Sequence, residues 1–77
     1  MPRRLPRDVD HRCLDSVLRH IGCVKLRVRG SHARYSCPSG RVTVPIYKVY
    51  SPGLLMKIIA QVGLSREEFL RLYEELC

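Results

Sequence analysis

The sequence predicts an α+β domain, a three-stranded antiparallel sheet with helices packed on one face, in the order α-β-β-β-α-α. Three observations carry this reading. Val24, Leu26 and Val28 alternate with Lys25, Arg27 and Arg29, and Ala33, Tyr35 and Cys37 alternate with His32, Arg34 and Ser36, on either side of Gly30-Ser31. Period-two alternation about a glycine-first turn is a β-hairpin. Leu54, Leu55, Ile58, Ile59 and Val62 recur at the three- and four-residue steps of an apolar helix face. A chain of 77 residues with 45% apolar side chains buries one core and no more, so sheet and helices must share it.

Taken in order, residues 1–7 hold two prolines and three arginines and are expected to form an irregular basic arm, with one domain over residues 8–77. Asp8 or Asp10 can cap a first helix near 9–21, where Leu14, Val17, Leu18 and Ile21 share a stripe beside Cys13 and Gly22 ends the helix. His11 and His20 fall off that stripe and are expected in solvent. In the hairpin, Gly30 takes the positive-φ first position of a type II′ turn, which a residue with a Cβ enters only with strain. Arg29 then opposes His32, Arg27 opposes Arg34, and Lys25 opposes Ser36 on one cationic face. Val28 with Ala33, Leu26 with Tyr35, and Val24 with Cys37 form the core face.

Pro38-Ser39-Gly40 marks a second turn, followed by a third strand near 42–46 whose Pro45 suits an edge. For Val42 and Val44 to face the core, the connection is expected to span 38–41 or to include a bulge. Ser51 followed by Pro52 starts a core helix near 52–62 that Gly63 ends. Ser65-Arg66-Glu67-Glu68 is a capping box, with Leu64 and Phe69 in staple positions. A last helix near 66–75 follows, with Phe69, Leu72, Tyr73 and Leu76 as its stripe.

Lys and Arg number 14 against 7 Asp and Glu, a net charge of +7, which points to an anionic partner. Lining up Lys25, Arg27, Arg29 and Arg34 on one sheet face sets like charges opposite one another, which is unfavourable unless a polyanion neutralises them. Nucleic acid is the simplest such polyanion. Arg41 and Lys48 extend the basic set. Five aromatic residues without Trp speak against an extended base-stacking platform, with Tyr47 and Tyr50 as the exceptions to watch.

The four cysteines, Cys13, Cys23, Cys37 and Cys77, form no C-x-x-C pair, and no apolar stretch resembles a secretion signal or a membrane span. The expectation is a cytoplasmic protein without a membrane segment, with the cysteines acting as small apolar side chains. Their spacing matches no zinc signature, so no metal or other cofactor is expected.

Arg27-Val28-Arg29-Gly30-Ser31-His32, then Pro38-Ser39-Gly40-Arg41-Val42-Thr43-Val44-Pro45, then Gly53 and the run Ile58-Ile59-Ala60-Gln61-Val62-Gly63-Leu64-Ser65-Arg66-Glu67-Glu68-Phe69 resemble the HicA family of mRNA interferase toxins over nearly the whole chain. The resemblance implies a double-stranded-RNA-binding-domain-like fold. It further implies a type II toxin that cleaves mRNA, with His32 as the catalytic residue behind the Gly30-Ser31 turn, and a HicB-like antitoxin that masks His32. The chain departs from the family pattern at Ala33, Leu54 and Cys23, where a second histidine, a threonine and an aromatic are usual.

Histidine titrates near neutral pH and can take or give a proton, so His32 suits general acid–base cleavage of RNA without a metal. Lys25, Arg27, Arg29 and Arg34 would bind the phosphate and stabilise its charge, with Arg41 and Lys48 as further RNA contacts. A lone histidine among arginines, with no carboxylate beside it, is a poor cation site. No second acid or base is evident in the sequence: Ser31, Ser36 and Lys48 are candidates by proximity alone, and substrate or water is the alternative. Two other functions use the same surface: a non-catalytic RNA-binding module, and a basic face that docks an acidic protein.

Overall fold

The computed structural model describes residues 4–77. Six elements follow in the expected order: α1 (His11–His20), β1 (Val24–Arg29), β2 (His32–Cys37), β3 (Gly40–Pro45), α2 (Pro52–Gln61) and α3 (Arg66–Leu76). The strands form one antiparallel sheet in the order β1-β2-β3. The chain is therefore α+β, with β2 in the middle of the sheet and both other strands on its edges. Residues 1–3, the start of the basic arm, lie outside the described residues; Leu5 and Val9 of the following segment are buried in the core.

Local chemistry accounts for the helix ends. Asp10, the second of the two candidate caps, accepts the Cys13 N–H at 2.8 Å and opens α1. Ser51 accepts the Leu54 N–H with Pro52 in the first turn of α2. Ser65 and Glu68 exchange the two bonds of a capping box at α3. At the C-terminus of α1 the chain turns through Gly22 at φ +99°, with Cys23 N–H bonded to Leu18 C=O and Gly22 N–H to Arg19 C=O. This is the Schellman arrangement that satisfies otherwise orphaned carbonyls.

The helices cover one sheet face. Ala33, Tyr35 and Cys37 from β2, Val42 and Val44 from β3, Leu14, Val17 and Leu18 from α1, and Leu55, Ile58 and Ile59 from α2 make one buried cluster that Val62 extends. In α3 the buried pair is Phe69 and Leu70, while Leu72 and Tyr73 are half-buried and Leu76 is exposed. The last helix thus rolls its Leu70 inward, in place of the Leu76 of the expected stripe.

The expected register needs two corrections. Between β2 and β3 a two-residue connection suffices: Cys37 pairs with Gly40, Tyr35 with Val42, and Ala33 with Val44. Directly paired residues share a face, so Val42 and Val44 reach the core without a longer loop or a bulge. Between β1 and β2 the expected pairs Arg29↔His32, Val28↔Ala33 and Arg27↔Arg34 form, but the register slips at Leu26, so that Lys25 lies opposite Tyr35 and Val24 opposite Ser36. Beyond this bulge the faces of β1 exchange. The expected pairs Lys25–Ser36, Leu26–Tyr35 and Val24–Cys37 are not made.

The exchange follows from what waits on the helix side. Asp15 of α1 accepts a hydrogen bond from the buried Tyr35 hydroxyl and lies 3.3 Å from Lys25 Nζ, and Lys25 sits 5.7 Å from the Tyr35 ring centroid. Turning Lys25 inward supplies that carboxylate with a cation, and an edge strand can bulge because only one of its sides is paired. Val24 at 61% and Leu26 at 48% are consequently exposed, and Val28 stands at 50%. Val28 keeps the register of the fully buried Ala33, so its exposure marks where the helical layer stops short of the edge.

The cysteines are paired rather than free. Cys13 and Cys77 join α1 to the end of α3 with Cα atoms 5.4 Å apart, and Cys23 and Cys37 bridge β1 and β2 beyond the last ladder pair with Cα atoms 4.1 Å apart. Sequence spacing does not reveal such pairs, since the partners are 64 and 14 residues apart and are brought together by the packing of α1 on α3 and by the hairpin. In the loop-entropy account the longer loop stabilises by about 4 kcal/mol and the shorter by about 3 kcal/mol. Among the described residues no helix is long and apolar enough to cross a membrane.

Candidate active site and nucleic-acid interface

Gly30 takes φ +59° while Ser31 keeps an ordinary negative φ, the sign pattern of a type II′ turn. The turn fixes the pair Arg29↔His32 at the hairpin end. On its other side His32 pairs with Pro45, and the Ile46 N–H donates to the Ser31 carbonyl at 2.7 Å. That flanking bond makes His32↔Pro45 a non-hydrogen-bonded pair, so the missing N–H of Pro45 points to the open edge and leaves no gap in the ladder. His32 is therefore held at the turn end of the central strand, with the hairpin turn on one side and a proline strand end on the other.

The face away from the helices carries the site. His32, Arg34 and Ser36 alternate on β2 with the buried Ala33, Tyr35 and Cys37. Arg27 and Arg29 join them from β1, Thr43 and Arg41 from β3. Arg27, Arg29, His32, Arg34 and Thr43 line one open concavity of about 370 Å³. None of these three arginines is engaged by a carboxylate among the described residues. The result is an imidazole rimmed by free guanidinium groups, each able to grip a phosphate through two parallel N–H bonds.

The structure does not bring all the sequence-selected residues together. Lys25, expected on this face, lies on the helix side and belongs to the Asp15 cluster. There the Asp15 carboxyl is pushed up by burial but brought below its usual range by bonds from Tyr35, Arg19 and Lys25. Arg41 pairs with Ser36, farther along the sheet and outside the concavity's lining. Lys48 follows the end of β3 and lines a separate concavity with Asp10, His11, Arg12, Ile46 and Tyr47. Gly30 and Ser31 form the turn as expected, and Ser36 stays on the His32 face. Among the described residues no three His, Cys, Asp or Glu side chains converge where they could hold a metal.

Sequence reasoning missed the support behind the strand end. Tyr50 is fully buried; its hydroxyl donates to the Pro45 carbonyl, accepts the Tyr47 N–H at 3.4 Å and lies 3.1 Å from His11 Nδ1. Its one proton goes to Pro45, so His11 must donate from Nδ1 and its buried Nε2 is a bare acceptor without a partner among the described residues. His11 is thus a half-buried neutral side chain, not the solvated one expected: burial and the Lys25 charge hold it below the usual histidine range. Nothing local in the sequence announces a contact across 39 residues. Thr43 was missed as well, although its alternation with Val42 and Val44 assigns it to the His32 face.

The family model described as "HicA toxin of bacterial toxin-antitoxin" matches residues 12–64, from α1 through the end of α2 and well over half of the chain. No curated protein matches the sequence. The match includes the hairpin, His32 and all the lining residues of its concavity, and the chain accordingly belongs to the HicA toxin family of bacterial toxin–antitoxin systems.

Proposed function

We propose that this toxin is an endoribonuclease that cleaves single-stranded mRNA without a metal, with His32 as general acid–base and Arg27, Arg29 and Arg34 as the phosphate-binding groups. The observation that carries the reading is the convergence, on one concavity of the sheet, of one exposed histidine and three arginines that no carboxylate among the described residues engages. The neutral imidazole takes the proton of a ribose 2′-OH. The 2′ oxygen then attacks the adjacent phosphorus, forming a 2′,3′-cyclic phosphate and expelling the 5′ oxygen. That oxygen leaves as a hydroxyl after accepting a proton from the same imidazolium or from water. The guanidinium groups carry the charge that builds on the non-bridging oxygens. Thr43, with a hydroxyl on the same face, is a further donor to that phosphate.

A HicB-like antitoxin is proposed to silence the toxin by covering His32 and the surrounding arginines. The net charge of +7 gives an acidic covering surface favourable long-range attraction.

The test uses labelled single-stranded RNA in EDTA. Wild type should cut it and leave cyclic phosphate ends, while His32→Ala should lose cleavage and keep RNA affinity nearly unchanged. Arg27→Ala, Arg29→Ala or Arg34→Ala should weaken binding and reduce the salt slope by about one unit for each phosphate left without its guanidinium. Full activity of His32→Ala refutes the catalytic assignment. Binding with steep salt dependence but no cutting by wild type would instead favour the non-catalytic RNA-binding module on the same face.

A further inference from the structure

The five aromatic residues divide by burial. Tyr35, Tyr50 and Phe69 are fully buried, and Tyr73 is half-buried with its hydroxyl bonded to Asp8 at 2.7 Å and its ring stacked near Phe69. Tyr47 alone presents its ring to solvent, at 48% exposure. It lies two residues past Pro45, the ladder partner of His32, in a segment held at both ends. Ile46 N–H bonds to Ser31 C=O, and Tyr47 N–H bonds to the buried Tyr50 hydroxyl. One side of the Tyr47 ring leans on Tyr50, with centroids 5.8 Å apart and planes tilted by 38°.

The concavity of about 280 Å³ that Tyr47 lines also carries Lys48 and Arg12. Its one carboxylate, Asp10, is already engaged as the cap of α1. An exposed, backbone-anchored aromatic ring that shares a concavity with two cations has the chemistry that single-strand binders use, a stacking face for a base with charges for the adjoining phosphates. An apolar protein segment would meet those cations unpaired, whereas a nucleotide supplies the counter-charge. We propose that Tyr47, with Lys48 and Arg12, forms a base-stacking subsite for an unpaired nucleotide next to the one whose phosphate lies at His32. This deepens the reading of the basic face as an RNA site and rests on it.

The experiment measures binding of a short single-stranded RNA to the His32→Ala protein, which leaves the strand intact, with and without changes at Tyr47. Tyr47→Ala should weaken binding about five- to a hundredfold, the range for losing one stacked base. Tyr47→Phe should bind as the parent does. Replacing one nucleotide beside the contact with an abasic residue should weaken the parent by a similar factor and erase the difference between Tyr and Ala. Lys48→Ala and Arg12→Ala should each lower the salt slope by about one. Equal binding by Tyr47→Ala and its parent overturns the proposal. So does a Tyr47→Ala loss that persists at every abasic position, which would mean a structural role. Failure of the parent to bind RNA at all sinks the reading of the basic face and this subsite with it, whereas intact binding that is sensitive to Arg27 and Arg34 but not to Tyr47 sinks the subsite alone.

Discussion

Tyr50→Phe removes a single oxygen from the interior and tests the support behind the strand that carries Pro45. The side chain is fully buried, and its hydroxyl meets the Pro45 carbonyl, the Tyr47 N–H at 3.4 Å and His11 Nδ1 at 3.1 Å. Phenylalanine fills the same ring volume, so the change opens no cavity and adds no strain. The loss is of hydrogen bonding alone. The bonds to Pro45 and His11 are each worth about 1 kcal/mol net, and the groups left behind in the interior add a desolvation penalty, so the variant should lose about 2–3 kcal/mol. For a domain of this size that is a fall of about 10–20 °C in melting temperature.

Urea unfolding followed by circular dichroism, with the cysteines kept oxidised, measures the difference. The Tyr47 segment should loosen at the same time, and Tyr50→Phe should then weaken single-stranded RNA binding even though Tyr50 touches no ligand. A loss below about 0.5 kcal/mol, the range of an ordinary surface change, would show that water replaces the hydroxyl and that the peg is not needed.

Packing and pH supply the remaining predictions. Ile59→Ala, at a site only 1% exposed, should cost about 2–5 kcal/mol, whereas Leu26→Ala at the exposed bulge should cost under about 1 kcal/mol. Comparable losses in urea unfolding would restore Leu26 to the core and undo the register described for β1. Because His11 is held below its ordinary value, the unfolded chain binds a proton there before the folded protein does. Stability should therefore fall as pH drops below about 6.5, and His11→Gln should blunt that fall. A melting temperature that rises between pH 7.5 and pH 5, or an unchanged slope in the variant, contradicts the burial assigned to His11.

The parts of the fold that were legible are those set by local chemistry. Asp10, Ser51 and Ser65 cap helices because a short oxygen-bearing side chain at that place satisfies a free N–H, a relation that spans three residues and can be read directly. β2 was legible on both faces because a central strand is covered on one side along its whole length, so alternation and burial coincide. β1 alternates just as regularly and was misread. Its pattern Val-Lys-Leu-Arg-Val-Arg says that two faces differ but not which one meets the helices once the register slips. What selects the phase is Asp15 on a separate helix, whose need for a cation is visible only when α1 lies on the sheet. The same distance hid both disulfides and the contact between the Tyr50 hydroxyl and His11.

The candidate site was legible in large part because of where the bulge falls. Arg27, Arg29, His32 and Arg34 all lie between the Gly30 turn and Leu26, so the register that the turn dictates still holds for each of them. Lys25 lies one residue past the slip and does not reach the site. The bulge thus divides one cationic strand into two roles. The half near the turn keeps its arginines unpaired on the open face, where like charges repel and a phosphate relieves the repulsion. The far half sends its lysine inward to an acid that is itself bonded to the buried Tyr35 hydroxyl. An unbroken register would have placed Lys25 on the open face as well and left Asp15 without it. The sheet's cationic surface is therefore bounded on this strand by folding energetics rather than by composition.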